Sequence, residues 1–254
     1  MTHRIVRLLS ELMERKRNKM GEANAGVSFS GIAWAALCFY YRSVADRRYC
    51  KILGDTPFIE KLRQTPLDIT PSEFEQKVIL DYVSITNYDL LIEHKLAQRL
   101  LENIVGLQPD VTALQGLTLL DCDLSDTATA DRIEKIYAAL YSVPGLWVTG
   151  VSKIAHLLND KLLALLNLDI SAHFRLPDGS AGVITWVKFL QDSARQVASD
   201  FQERRYQGTP EEFISEKLGY TKHGCHKSLL KYLDEYYWLR FGDGLPIPPP
   251  WTPT

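Results

Sequence analysis

Residues 27–41 read VSFSGIAWAALCFYY, fifteen consecutive positions with no formal charge and a high share of alanine and aromatic side chains. A helix of that composition has no polar face to offer water, so it must be surrounded by lipid or by protein. Spanning a bilayer takes roughly 20 apolar residues, and this run stops short. The expectation is a helix enclosed on all sides by a globular core. A chain of 254 residues, 46% hydrophobic and 24% charged, is large enough to supply that enclosure.

Helix starts elsewhere are well marked. Thr70-Pro71-Ser72-Glu73 and Thr209-Pro210-Glu211-Glu212 each place a hydroxyl cap, proline at the first helical position and glutamate at the third. After Thr70, Phe74, Val78, Ile79, Tyr82 and Val83 recur at helical spacing, and Leu91, Leu96, Leu100, Leu101 and Ile104 form a second helix, with a break near Thr86-Asn87. Residues 129–140 give a third, with a cap at Thr129 and Ile133, Ile136, Tyr137 and Leu140 on one face. Ser180 opens a fourth after the Pro177-Asp178-Gly179 turn, a fifth follows Thr209, and residues 227–241 give a sixth. Alternation with period two is scarce: only 118–123 (TLLDCD) admits a short strand, and it equally admits a loop or a helix end. The expected class is all-α, a multi-helix orthogonal bundle. Loop-rich stretches suggest an N-terminal helical segment over 1–70 and a helical domain over 71–254, whose proline-dominated tail, 245–254, is extended and docked through Ile247 and Trp251.

Charge narrows the function. Lys plus Arg total 29 against 31 for Asp plus Glu, so a phosphate-binding face has to be local. No phosphate loop, dinucleotide fingerprint, HExxH or GxSxG is present, which sets aside the enzyme classes built on them and any nucleotide cofactor. Residues 1–20 are basic but lead into no cleavage site, and the four cysteines, Cys38, Cys50, Cys122 and Cys225, show no paired spacing. They read as reduced, buried thiols of a cytoplasmic protein. His223-Gly224-Cys225-His226 lacks a second cluster to complete a zinc site, so no metal is expected. Arg42, Arg47, Arg48 and Lys51 with Tyr40, Tyr41 and Tyr49 suit either a single-stranded nucleic acid or a solvated helix end.

The functional lead lies in 141–169, YSVPGLWVTGVSKIAHLLNDKLLALLNLD. It reads as a turn at Pro144-Gly145, a second turn at Thr149-Gly150, a helix, and an apolar run ending in Asn167 and Asp169. Backbone amides of Thr149, Gly150, Val151 and Ser152 at a helix start form a nest where the helix dipole favours a phosphate. TGVSKIAHLL resembles the Gly-rich turn, lysine and following alanine of the helix-hairpin-helix DNA glycosylases, and Leu168-Asp169-Ile170 resembles their later aspartate. The resemblance implies DNA as partner, Lys153 as Schiff-base nucleophile and Asp169 as its acidic partner.

Over 74–251 the chain also resembles an uncharacterised bacterial family with this hairpin at its centre, whose acidic residue falls where this chain has Asn167. Two readings follow: a nucleic-acid-binding protein with base-excision or lyase chemistry, in which a partly desolvated Lys153 amine attacks the sugar, or a non-catalytic interaction module that keeps the hairpin. In the second, Lys153 is a solvated first-turn lysine and Asp169 a helix cap.

Overall fold

The computed structural model describes residues 27–85, 91 and 95–242, and these form an all-α protein with twelve α-helices and no strand among them. The uncharged run becomes α1, Phe29–Arg42, whose start is capped by Ser28 accepting a bond from the Gly31 amide at 3.1 Å. Ile32, Ala35 and Ala36 are wholly buried, and Leu37 is the large apolar side chain of this helix that reaches solvent. Its apolar faces are covered by α10 (Ser180–Glu203), α11 (Pro210–Leu218) and above all α12 (Leu229–Tyr237). Gly31 makes the last approach feasible: a Cβ there would stand 2.9 Å from the Tyr236 ring.

Helices α2 (Val44–Gly54) and α3 (Thr56–Gln64) follow, capped by Ser43 and Asp55. Thr70 caps α4, Pro71–Phe74, through the Glu73 amide, as its spacing predicts, but the chain then widens into a π-helical stretch, Glu75–Val83, that ends on Ser84 at φ 71°. The expected break at Thr86-Asn87 lies outside the described residues, as do the basic N-terminus, His94 and the proline-rich tail. Beyond it come α5 (Leu96–Gly106) and α6 (Gln108–Ala113). Residues 118–126 make turns, with no strand, held by Thr118 to Asp121 and by Ser125 to Asp123.

Helix α7, Thr127–Tyr141, starts earlier than the cap at Thr129 predicts. Asp126 is the cap: its carboxylate accepts from the Ala128 and Thr129 amides and from the Thr129 hydroxyl. Helices α8 (Val148–Leu158) and α9 (Leu168–His173) carry the functional lead. The capping box at Thr209 forms in full on α11, and α12 passes into a second π-helical stretch, Trp238–Gly242. One cluster of buried side chains runs from Val27 to Leu239 and includes residues on both sides of position 70.

A cross-link corrects the reading of the cysteines as four reduced thiols: Cys50 on α2 is disulfide-bonded to Cys225, with their Cα atoms 5.2 Å apart, while Cys38 and Cys122 are buried thiols. A separation of 175 residues carries no spacing signal, so only the packing of α2 against the segment before α12 brings the pair together. Among the described residues no helix is long and apolar enough to cross a membrane.

Candidate functional site

Helices α7 and α8 pack on one another and are joined by a short connection, 142–147, with Gly145 at φ 88° in its turn. Pro144 and Gly145 turn as the sequence indicates, but Thr149 and Gly150 do not form a second turn. Both lie in the first turn of α8, behind Trp147 at its N-cap. The first intrahelical bond runs from the Val151 amide to the Trp147 carbonyl at 3.0 Å, so the amides left without a helical acceptor are those of Val148, Thr149 and Gly150. Val151 and Ser152 spend theirs inside the helix. No carboxylate occupies this first turn, and Trp147 stands beside it 73% exposed.

Other residues of the lead serve packing. Val151 is fully buried, and Gly150 gives room, since a Cβ would lie 3.1 Å from Leu146 and 3.5 Å from Val83. Ser152 is 1% exposed; its hydroxyl donates to the Leu166 carbonyl at 2.8 Å and accepts from the Leu166 amide at 3.0 Å. This reciprocal pair joins the start of α8 to the segment that leads into α9.

Lys153 is half-buried. Its amine donates to the Tyr82 carbonyl at 3.5 Å and lies 5.5 Å above the Tyr82 ring. Burial weakens its hold on a proton, the charge of Lys231 adds to that effect, Asp234 opposes it, and Arg48 again lowers it. Asp169 is exposed in the first turn of α9, and the cap of that helix is Asn167, whose side chain accepts from the Ile170 amide at 2.8 Å. The acidic group whose charge reaches Lys153 most strongly is therefore Asp234 on α12.

Behind Lys153 lies a buried polar network. Lys227 is enclosed completely and pairs with Asp46 and, at 2.8 Å, with Glu235; it also donates to the Tyr220 hydroxyl, which donates to Asp46. Lys231 pairs with Asp234 at 2.8 Å and lies 3.5 Å from Glu235. Burial pushes the Glu235 carboxyl up to about 7, against the pull of Lys227 and Lys231. Burial also works against the Lys231 charge, yet Asp234 and Glu235 hold it well above the usual lysine range. Nearby, the His156 Nδ1–H donates to the Leu163 carbonyl at 2.7 Å, which leaves Nε2 to accept from the Tyr49 hydroxyl at 3.0 Å. Burial lowers this imidazole to about 4, so it stays neutral.

Sequence reasoning gave 227–241 as a helix and assigned its charged residues no role. A usable signal was present: Lys231, Asp234 and Glu235 are charged residues spaced three and four apart on a helix whose other faces are aromatic and aliphatic, and charges there must be paired inside the core. His226 is exposed, and Cys225 belongs to the disulfide rather than to a metal group. No family model matches this chain, and neither does any curated protein or solved structure.

Proposed function

We propose that this is a nucleic-acid-binding protein that grips the DNA backbone with the α7–α8 hairpin, in the manner of the helix-hairpin-helix DNA glycosylases it resembles. The observation that carries this reading is the start of α8: three amides without helical acceptors, on an eleven-residue helix with no carboxylate in its first turn. Such an end is a ready anion site, and the half-buried Lys153 amine follows one turn behind it. The contact amides are those of Val148, Thr149 and Gly150, which moves the nest one step earlier than the sequence indicates.

Binding of a duplex should weaken steeply with salt. Each neutralised phosphate contributes about −0.9 to the slope of log affinity against log salt, so Lys153→Ala should flatten that slope by about one. A wild-type protein with no affinity for DNA at low salt would end this reading. Lyase chemistry has a separate readout: borohydride trapping on a duplex carrying an abasic site, lost in Lys153→Gln and slowed by Asp169→Asn more than binding is.

A second reading, a non-catalytic binding module, is favoured by one observation. The Lys153 amine turns toward the Tyr82 carbonyl, whereas Asp169 is exposed at the start of α9. DNA affinity without trapping would select it.

A further inference from the structure

Enclosed lysines in this molecule are otherwise matched to acids. Among the described residues three more lysines are not exposed, and each sits on a carboxylate: Lys77 on Asp55 and Glu73, Lys227 on Asp46 and Glu235, Lys231 on Asp234. Among the described residues Lys153 has no such partner, and its amine donates to the Tyr82 carbonyl at 3.5 Å, the limit of the interaction.

The same short stretch of chain receives a second cation. Arg48, exposed on α2, donates to the Ser84 hydroxyl, two residues beyond Tyr82. Ser84 holds a left-handed backbone, φ 71°, a conformation that residues other than glycine adopt at a cost and that recurs at ligand sites. Two cations thus converge on 82–84 from different helices; the charge of Lys231 also reaches Lys153, but Lys231 is paired with Asp234. The end of a helix can hold a cation by its dipole, but one long bond to a carbonyl is small compensation for the partly desolvated Lys153 charge, which the exposed Arg48 also opposes.

We propose that Lys153, Arg48 and the Ser84 hydroxyl form a binding site for a phosphate group. An ammonium, a planar guanidinium and a hydroxyl supply the donors that a phosphate needs, and the phosphate supplies the negative charge that Lys153 lacks. This deepens the DNA-binding reading and rests on it only for the source of the phosphate, which is a backbone phosphodiester in one case and free inorganic phosphate or a phosphomonoester in the other.

Thermal unfolding tests the site, in phosphate-free buffer and in phosphate matched to chloride in ionic strength. At a hundredfold excess over Kd, phosphate should raise the wild-type Tm by about 5 °C or more. Lys153→Met and Arg48→Gln should each abolish that rise. Lys153→Met should keep or raise the Tm without phosphate, because it removes an uncompensated charge. If phosphate leaves the wild-type Tm unmoved and Lys153→Met lowers it in phosphate-free buffer, the lysine only caps the helix and the site is overturned. Fluorescence anisotropy with a labelled duplex separates the sources. A phosphate response without DNA affinity upholds the site and ends the DNA reading. Tight DNA binding that Arg48→Gln leaves unchanged, without any phosphate response, upholds the DNA reading and ends this site.

Discussion

His156 and Glu235 are both enclosed, and they pull acid stability in opposite directions. His156 has its imidazole lowered from 6.5 to about 4. Below pH 6.5 the unfolded chain takes up a proton that the folded one refuses, so stability is lost as pH falls from 6.5 to 4, by about 3 kcal/mol in all. Glu235 has its carboxyl raised from 4.5 to about 7. The folded state takes up that proton first, so stability is gained as pH falls from 7 to 4.5, by a similar amount. The two contributions oppose each other between pH 4.5 and 6.5. His156→Gln should leave a Tm that rises on acidification through this window, and Glu235→Gln one that falls. Thermal melts at half-unit pH steps check this; parallel profiles for the two variants would refute the assignment. Asp81, Asp123 and Asp126, held below the usual carboxylate range by their hydrogen bonds, act only at lower pH. The titration of these two groups was not legible in the sequence: a lone histidine looks like any other, and the spacing of Lys231, Asp234 and Glu235 signals pairing but not which acid is pushed up. What a side chain does here depends on which groups enclose it.

At the scale of elements the sequence was informative. The caps at Thr70 and Thr209 stand where their spacing puts them because a hydroxyl, a proline and a glutamate act within one turn and need no distant partner. The cap of α7 was misplaced for a similar local reason: in the series from Asp126 to Thr129 several side chains can cap, and the aspartate wins by accepting two amides at once. The π-helical stretches left no trace, since widening a helix alters its bonding without a distinct residue pattern. The segment 141–169 was half legible. The turn at Pro144-Gly145 and a helix after it were read, but the expected turn at Thr149-Gly150 is the first turn of α8, and Ser152, whose amide was expected to meet a phosphate, spends that amide in the helix and its hydroxyl in a buried exchange with Leu166. Ser152→Ala should therefore cost about 2–4 kcal/mol by stranding an amide and a carbonyl away from water, whereas Thr149→Ala, at the half-buried helix start, should change stability by less than about 0.5 kcal/mol. Chemical denaturation of both variants checks the contrast, and equal effects would remove Ser152 from this role.

Across the whole molecule, the class was readable and the assembly was not. A run of fifteen uncharged residues demanded an enclosing core, and α10, α11 and α12 provide it. Which residues meet across that core follows from tertiary packing alone. The clearest case is the joining of α2 to the segment before α12, where a disulfide and an ion network act together. Cys225 is bonded to Cys50, and two residues later Lys227 reaches Asp46, one turn before Cys50 on the same helix. Tyr220, at the head of the same segment, donates to Asp46 as well. Both devices hold one segment to one helix, so losing the cross-link leaves the native contacts in place and acts through the unfolded chain. Freeing a loop of 175 residues removes about 5 kcal/mol of stability on the chain-entropy account. Cys50→Ser paired with Cys225→Ser, or reduction of the wild type, should lower the denaturation midpoint by that order while the helical circular dichroism at low denaturant stays unchanged. Loss of helical signal without denaturant would mean that the ion network cannot hold the segment alone. An unchanged midpoint after reduction would show that the cross-link does not constrain the unfolded chain.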